Sequence, residues 1–73
     1  MAMRYLVVVE QGPHSFGASV PDLPGCIAVG STRDEVLQLI KEAIEFHLDG
    51  LNDDGTPIPA PQSSSEFVDV QAR

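Results

Sequence analysis

Residues 3–10 read Met-Arg-Tyr-Leu-Val-Val-Val-Glu, a run of β-branched and aromatic side chains that predicts a first strand. Tyr5, Val7 and Val9 share one face of it, and Leu6, Val8 and Glu10 the other. Apolar side chains on both faces point to a central strand, with a helix on one side and a second subunit on the other. Gly12 and Pro13 break the run. Phe16, Ala18 and Val20 then alternate with Ser15, Gly17 and Ser19, so a half-buried strand over 16–20 closes a hairpin. Gly17 within it favours a bulge or a close backbone approach. Pro24-Gly25 suits the two central positions of a type II turn, and Cys26 resumes a short strand over 26–29 that Gly30 closes.

Beyond Gly30 the period changes from two to between three and four. Thr32-Arg33-Asp34-Glu35 forms a capping box, in which Thr32 accepts from the Glu35 amide and Glu35 reaches back to the Thr32 amide. A helix over 33–49 follows, with Gly50 as its stop. Its apolar positions are Val36, Leu37, Leu39, Ile40, Ala43, Ile44, Phe46 and Leu48, with Leu51 just beyond; Asp34, Gln38, Lys41, Glu45 and Asp49 take the opposite stripe. That apolar face is wider than one small sheet needs, so Phe46 is expected, with Leu6 and Val8, at a contact between subunits. A proline-punctuated, flexible connection over 56–65 comes next, and alternation returns over 66–71 as a terminal strand. The pattern as a whole is α+β, β-β-β-α-β. A three-stranded antiparallel sheet plus a terminal strand carries one packed helix in a single domain over 1–73.

Size and charge narrow the function. A chain of 73 residues with one cysteine has no internal disulfide and no Cys/His cluster for structural zinc, so self-association as a homodimer or homotetramer is the expected source of added stability. Eleven acidic residues stand against four basic ones, and those four (Arg4, Arg33, Lys41 and Arg73) are scattered. Such a chain is poorly suited to neutralising phosphates, and direct nucleic-acid binding is not expected. It suits a basic protein partner. No apolar run approaches the length of about 20 residues needed to span a membrane, nor does the start resemble a secretory leader, so the expected location is the cytoplasm.

Catalysis finds little support. Cys26 opens an apolar strand with no neighbouring base in sequence, and reads as a buried, inert thiol. His14 lies in the first loop, and His47 borders the helix stripe without a partner at metal-ligand spacing. Glu10, Glu42 or Glu45, and Asp69 are the only carboxylates that a two-metal nuclease centre would have available. Ser63-Ser64-Ser65 lacks a nucleophile turn, and Asp53-Asp54-Gly55 lacks the length of a calcium loop. No catalytic residue, metal or cofactor is assigned.

Pro21-Asp22-Leu23-Pro24-Gly25-Cys26 resembles the HicB-like antitoxin family. The similarity extends to Tyr5-Leu6-Val7-Val8-Val9-Glu10, Phe16-Gly17-Ala18-Ser19-Val20, the helix entry from Gly30 to Leu37, Glu42-Ala43-Ile44 and Pro57-Ile58-Pro59-Ala60-Pro61. The resemblance implies a partial ribonuclease H-like domain that occludes a small basic mRNA-cleaving toxin of the HicA type without catalysis. It also implies that the catalytic histidine belongs to the toxin and not to this chain. The C-terminal DNA-binding segment common in the family has no counterpart in these residues. Candidate toxin contacts are the helix carboxylates Glu42, Glu45 and Asp49. The alternative class is a stand-alone domain that binds a small ligand or another protein, or retains metal-dependent nuclease activity.

Overall fold

The computed structural model describes residues 3–72. Strands β1 (Val8–Gln11), β2 (Phe16–Ser19) and β3 (Ile27–Gly30) precede one helix, α1 (Arg33–Asp53). The sheet is antiparallel in the order β1-β2-β3. Val8 faces Ser19 and Gln11 faces Phe16 across the first pair; Ser19 faces Ile27 and Phe16 faces Gly30 across the second. With α1 packed on one face, the fold is α+β in two layers.

Local chemistry explains the joints. The Gly12 amide donates to the Ser15 carbonyl at 2.8 Å and closes the hairpin loop. In the turn before β3, the Cys26 amide donates to the Leu23 carbonyl at 3.1 Å, and Gly25 takes φ +85°. This is the type II geometry that Pro24-Gly25 encodes. At the start of α1 the Glu35 amide donates to Thr32 Oγ1 at 3.0 Å. The reciprocal arm differs from expectation: Glu35 Oε1 accepts from the Ser31 amide at 2.6 Å, one residue earlier than Thr32.

Val20, Leu23, Cys26, Ala18, Val36 and Ile40 form the buried core. Val36 and Ile40 start the helix stripe, and Ala43, Ile44 and Leu48 continue it against the sheet. Ala18 and Ala28 are paired across β2 and β3, and these small side chains admit α1 close to the sheet. Tyr5, Val7, Val9 and Phe16 close the same layer from the first hairpin.

Several expected boundaries move, each for a visible reason. Residues 3–7 run past the end of the ladder, because β2 stops at Ser19 opposite Val8. The next amide, Val20, donates instead to the Cys26 carbonyl at 3.2 Å. The first strand is therefore an edge strand, and β2 is the central one. The helix does not stop at Gly50 but continues to Asp53, keeping half-buried Leu51 on the apolar stripe. Its stop is Gly55, at φ +70°, where the Gly55 amide donates to Asn52 O and the Thr56 amide to Leu51 O. These two bonds make a Schellman motif. The cost of a glycine inside a helix, about 1 kcal/mol, is smaller than the packing gained by another turn. Finally, residues 66–71 pair with no strand among the described residues, and Phe67, Val68 and Val70 stand in solvent.

Candidate partner-binding surfaces

The solvent side of α1 gathers the three carboxylates singled out above. Glu42, Glu45 and Asp49 are all exposed, and with Asp53 they repeat every three or four residues. That spacing places them on one stripe. No basic residue occupies the last helical turn, where the backbone already presents partial negative charge. Leu39 and Phe46 lie seven residues apart and so share a line beside this stripe, with Phe46 82% exposed. An apolar anchor rimmed by carboxylates is a surface chemically matched to a cationic protein.

The three residues expected at a subunit contact do not come together. Phe46 projects from the helix layer, Val8 from the uncovered face of the sheet, and Leu6 is half-buried beside residues 63–65. That uncovered face carries Val8, Ile27 and Val29 around a shallow trough of ≈ 410 Å³. Its floor lies at Gly17, which has no side chain to fill it.

Below the sheet, residues 56–63 form a strap and not the flexible linker their composition predicts. The Tyr5 hydroxyl donates to the Pro59 carbonyl at 2.5 Å. Asp22 holds the far end: Oδ2 accepts from the amides of Gln62 and Ser63 at 3.0 and 2.9 Å, and Oδ1 from Ser63 Oγ at 2.9 Å. The Ser63 amide is the main cause that holds the Asp22 carboxyl below its ordinary pKa; partial burial opposes it, and the other two donors reinforce it. Burial, then the Asp22 charge, push the Tyr5 phenol up.

A depressed carboxyl pKa means that the ionised form favours the docked strap. Docking is thus complete above the ordinary aspartate range and is lost as pH falls through the lowered value. Protection of the Gln62 and Ser63 amides, measured as exchange relative to a free amide at the same pH, is expected to fall as pH drops through that lowered value. Asp22→Ala should give the same loss of protection at neutral pH, and full protection in that variant would show that Asp22 does not hold the strap.

The remaining candidates are dispersed. Cys26 is buried in the core, and burial pushes its thiol pKa up, which disfavours the nucleophilic thiolate. His14 is exposed in the hairpin loop, whereas His47 is half-buried on α1. Glu10 lies on the uncovered sheet face, Glu42 and Glu45 on the helix, and Asp69 on the last segment. Among the described residues no three His, Cys, Asp or Glu side chains gather as a metal site. Nor is any helix there long and apolar enough to cross a membrane.

Comparison with known proteins decides the family. The model of the HicB-like antitoxin of bacterial toxin-antitoxin systems matches residues 5–72. The chain belongs to the HicB-like antitoxin family. It is 34% identical over 71 residues to the protein named antitoxin HicB 2 of Photorhabdus laumondii, covering 96% of this chain and 51% of that protein. It is 33% identical over 66 residues to a 14.9 kDa protein from the rep-hol intergenic region of Haemophilus phage HP1, covering 90% of this chain and 50% of the phage protein. A UPF0150 protein of Thermoplasma acidophilum is 34% identical over 71 residues, with 96% of this chain and all of the archaeal protein covered. This HicB-like chain therefore spans about half of the first two relatives and the whole length of the third.

In this HicB-like domain the hexapeptide 21–26 is structural throughout. Leu23 and Cys26 enter the core, Pro24-Gly25 turn the chain, and Asp22 ties down the strap. The role of Asp22 escaped the sequence reading because its partners lie 40 and 41 residues away. The signal present was an acidic residue fixed between two turn-forming prolines, followed much later by a serine-rich run that offers donors.

Proposed function

We propose that this chain is a non-catalytic antitoxin module that sequesters a small basic toxin of the HicA, mRNA-cleaving type in the cytoplasm, acting as a self-associated oligomer. Family membership supports the antitoxin class, and the formal charge of −7 supports a cationic partner. The observation that carries the reading is the carboxylate stripe of Glu42, Glu45, Asp49 and Asp53 beside Phe46, toward a helix end whose last turn has no basic residue. In this reading the carboxylates of Glu42, Glu45 and Asp49 compete with RNA phosphates for a toxin's basic surface, and Phe46 supplies an apolar anchor beside them.

A small basic reading frame is expected beside this gene, and the test is co-expression with it, followed by purification and a growth-rescue assay. The complex should form, and its affinity should fall as salt rises. Exposed ion pairs contribute about 0.2–1 kcal/mol each, so Glu42→Lys, Glu45→Lys and Asp49→Lys combined should weaken the complex about ten- to a hundred-fold. The helical signal should stay unchanged, because all three side chains are exposed. Failure of a basic partner to co-purify, together with absence of rescue, overturns the antitoxin reading. Wild-type affinity in the triple variant overturns the assignment of its surface.

A further inference from the structure

Residues 66–71 read Glu-Phe-Val-Asp-Val-Gln, a strand pattern, yet they pair with no strand among the described residues of their own chain. Phe67 is fully exposed, and Val68 and Val70 nearly so. The molecule as a whole is extended. Its radius of gyration is 14.4 Å, against about 11 Å for a globular chain of this length. On the same molecule β3 is an edge strand whose outer side has no backbone partner among the described residues, with Ile27 68% and Val29 66% exposed. Isolated edges are normally protected by charge, proline or a bulge, and β3 (Ile-Ala-Val-Gly) has neither a charged residue nor a proline.

We propose that residues 66–71 are an exchanged strand, which adds to the β3 edge of a second copy of this chain while that copy's segment adds to the first. Three observations select this occupant and this edge. First, residues 63–65 border the same hollow as Arg4, Tyr5, Leu6 and Val7, the stretch that leads into β1. The segment therefore leaves on the β1 side, across the sheet from its own β3, and the β3 edge it meets without doubling back is a neighbour's. Second, β1 carries Glu10, which would oppose Glu66 and Asp69, whereas β3 offers no like charge. Third, period-two alternation matches: pairing that sets Val68 and Val70 beside Ile27 and Val29 packs all four against one another on the uncovered face, and turns Phe67 and Asp69 to the helix side.

The exchange is reciprocal about a two-fold axis, so both unpaired segments and both open edges are satisfied at once. Four added residues cover a strand as long as β3, and the strap held by Asp22 fixes where the segment departs. The inference deepens the self-association in the proposed function, and its test is separate from toxin binding because it uses the purified chain with no toxin present.

The experiment has two arms on the full chain. Sedimentation should give twice the 7.8 kDa chain mass for wild type, and the single-chain mass for Val68→Pro, which removes a ladder donor from an exposed position without touching the core. Separately, chains bearing Ile27→Cys or Val29→Cys should be mixed with chains bearing Val68→Cys or Val70→Cys and oxidised. Cross-linking between unlike chains is expected for at least one pairing, because facing Cβ atoms in a ladder sit about 4.5–5.5 Å apart. The wild-type chain, with only buried Cys26, should not cross-link. A wild type that stays monomeric at millimolar concentration, a Val68→Pro variant of unchanged mass, or failure of all four pairings to cross-link each overturns the exchange.

Discussion

Leu23→Ala is expected to cost about 2–5 kcal/mol, the range for emptying a buried leucine site. Leu23 is 0% exposed although it lies in a four-residue turn between two prolines. Its amide donates to the Val20 carbonyl at 3.0 Å and its carbonyl accepts from the Cys26 amide at 3.1 Å. The backbone on both sides is therefore fixed and cannot collapse into the space left by the lost side chain. Among the described residues six make up the fully buried cluster, so Leu23 is a large share of it. At about 0.05–0.15 kcal/mol per residue the whole domain holds only several kcal/mol of stability. Thermal unfolding followed by circular dichroism should show Tm falling by roughly 10 °C or more, at about 4–8 °C per kcal/mol for a domain this small. A loss below about 1 kcal/mol would remove the 21–26 turn from the core.

Gly30→Ala is the second large effect, and here the cause is space. A Cβ at Gly30 would sit 2.9 Å from the Val36 backbone nitrogen, and 3.1 Å from both Val36 Cα and Glu35 Oε1. Two of those atoms are helix backbone, so α1 must shift off β3 as a body, and the third is the carboxylate that caps Ser31. Overpacking of this kind costs about 1–3 kcal/mol. Gly17→Ala provides the control, because nothing lies within 4 Å of its Cβ position on the uncovered face. That variant should match or slightly exceed wild-type stability in urea unfolding, through reduced freedom of the unfolded chain. Equal losses at Gly17 and Gly30 would show that the close approach of α1 to β3 is not what Gly30 permits.

Much of the fold is legible in local chemistry. The hairpin, the Pro24-Gly25 turn and the Thr32 cap each depend on groups within four residues of one another, so short-range rules are sufficient for them. The acidic stripe of Glu42, Glu45 and Asp49 follows in the same way from helical periodicity. The helix end was misread because two glycines compete within six positions, and the choice belongs to Leu51: whether its side chain finds the sheet-facing stripe is a tertiary matter. The central position assigned to the first strand failed for a related reason. Apolar side chains on both faces do not show that strands flank it: Val9 packs on the core, whereas Val8 stands on the uncovered face.

The amino-acid order by itself determined which segments extend, which turn, where the helix begins and that the surface is acidic, since these follow from backbone preferences and charge carried residue by residue. Only the tertiary structure decided that Asp22 grips a strap forty positions away, that Gly30 is a contact point, and that residues 66–71 pair with no strand among the described residues. Those facts concern which distant groups meet in space, and proximity between remote parts of a chain arises from packing the layers together.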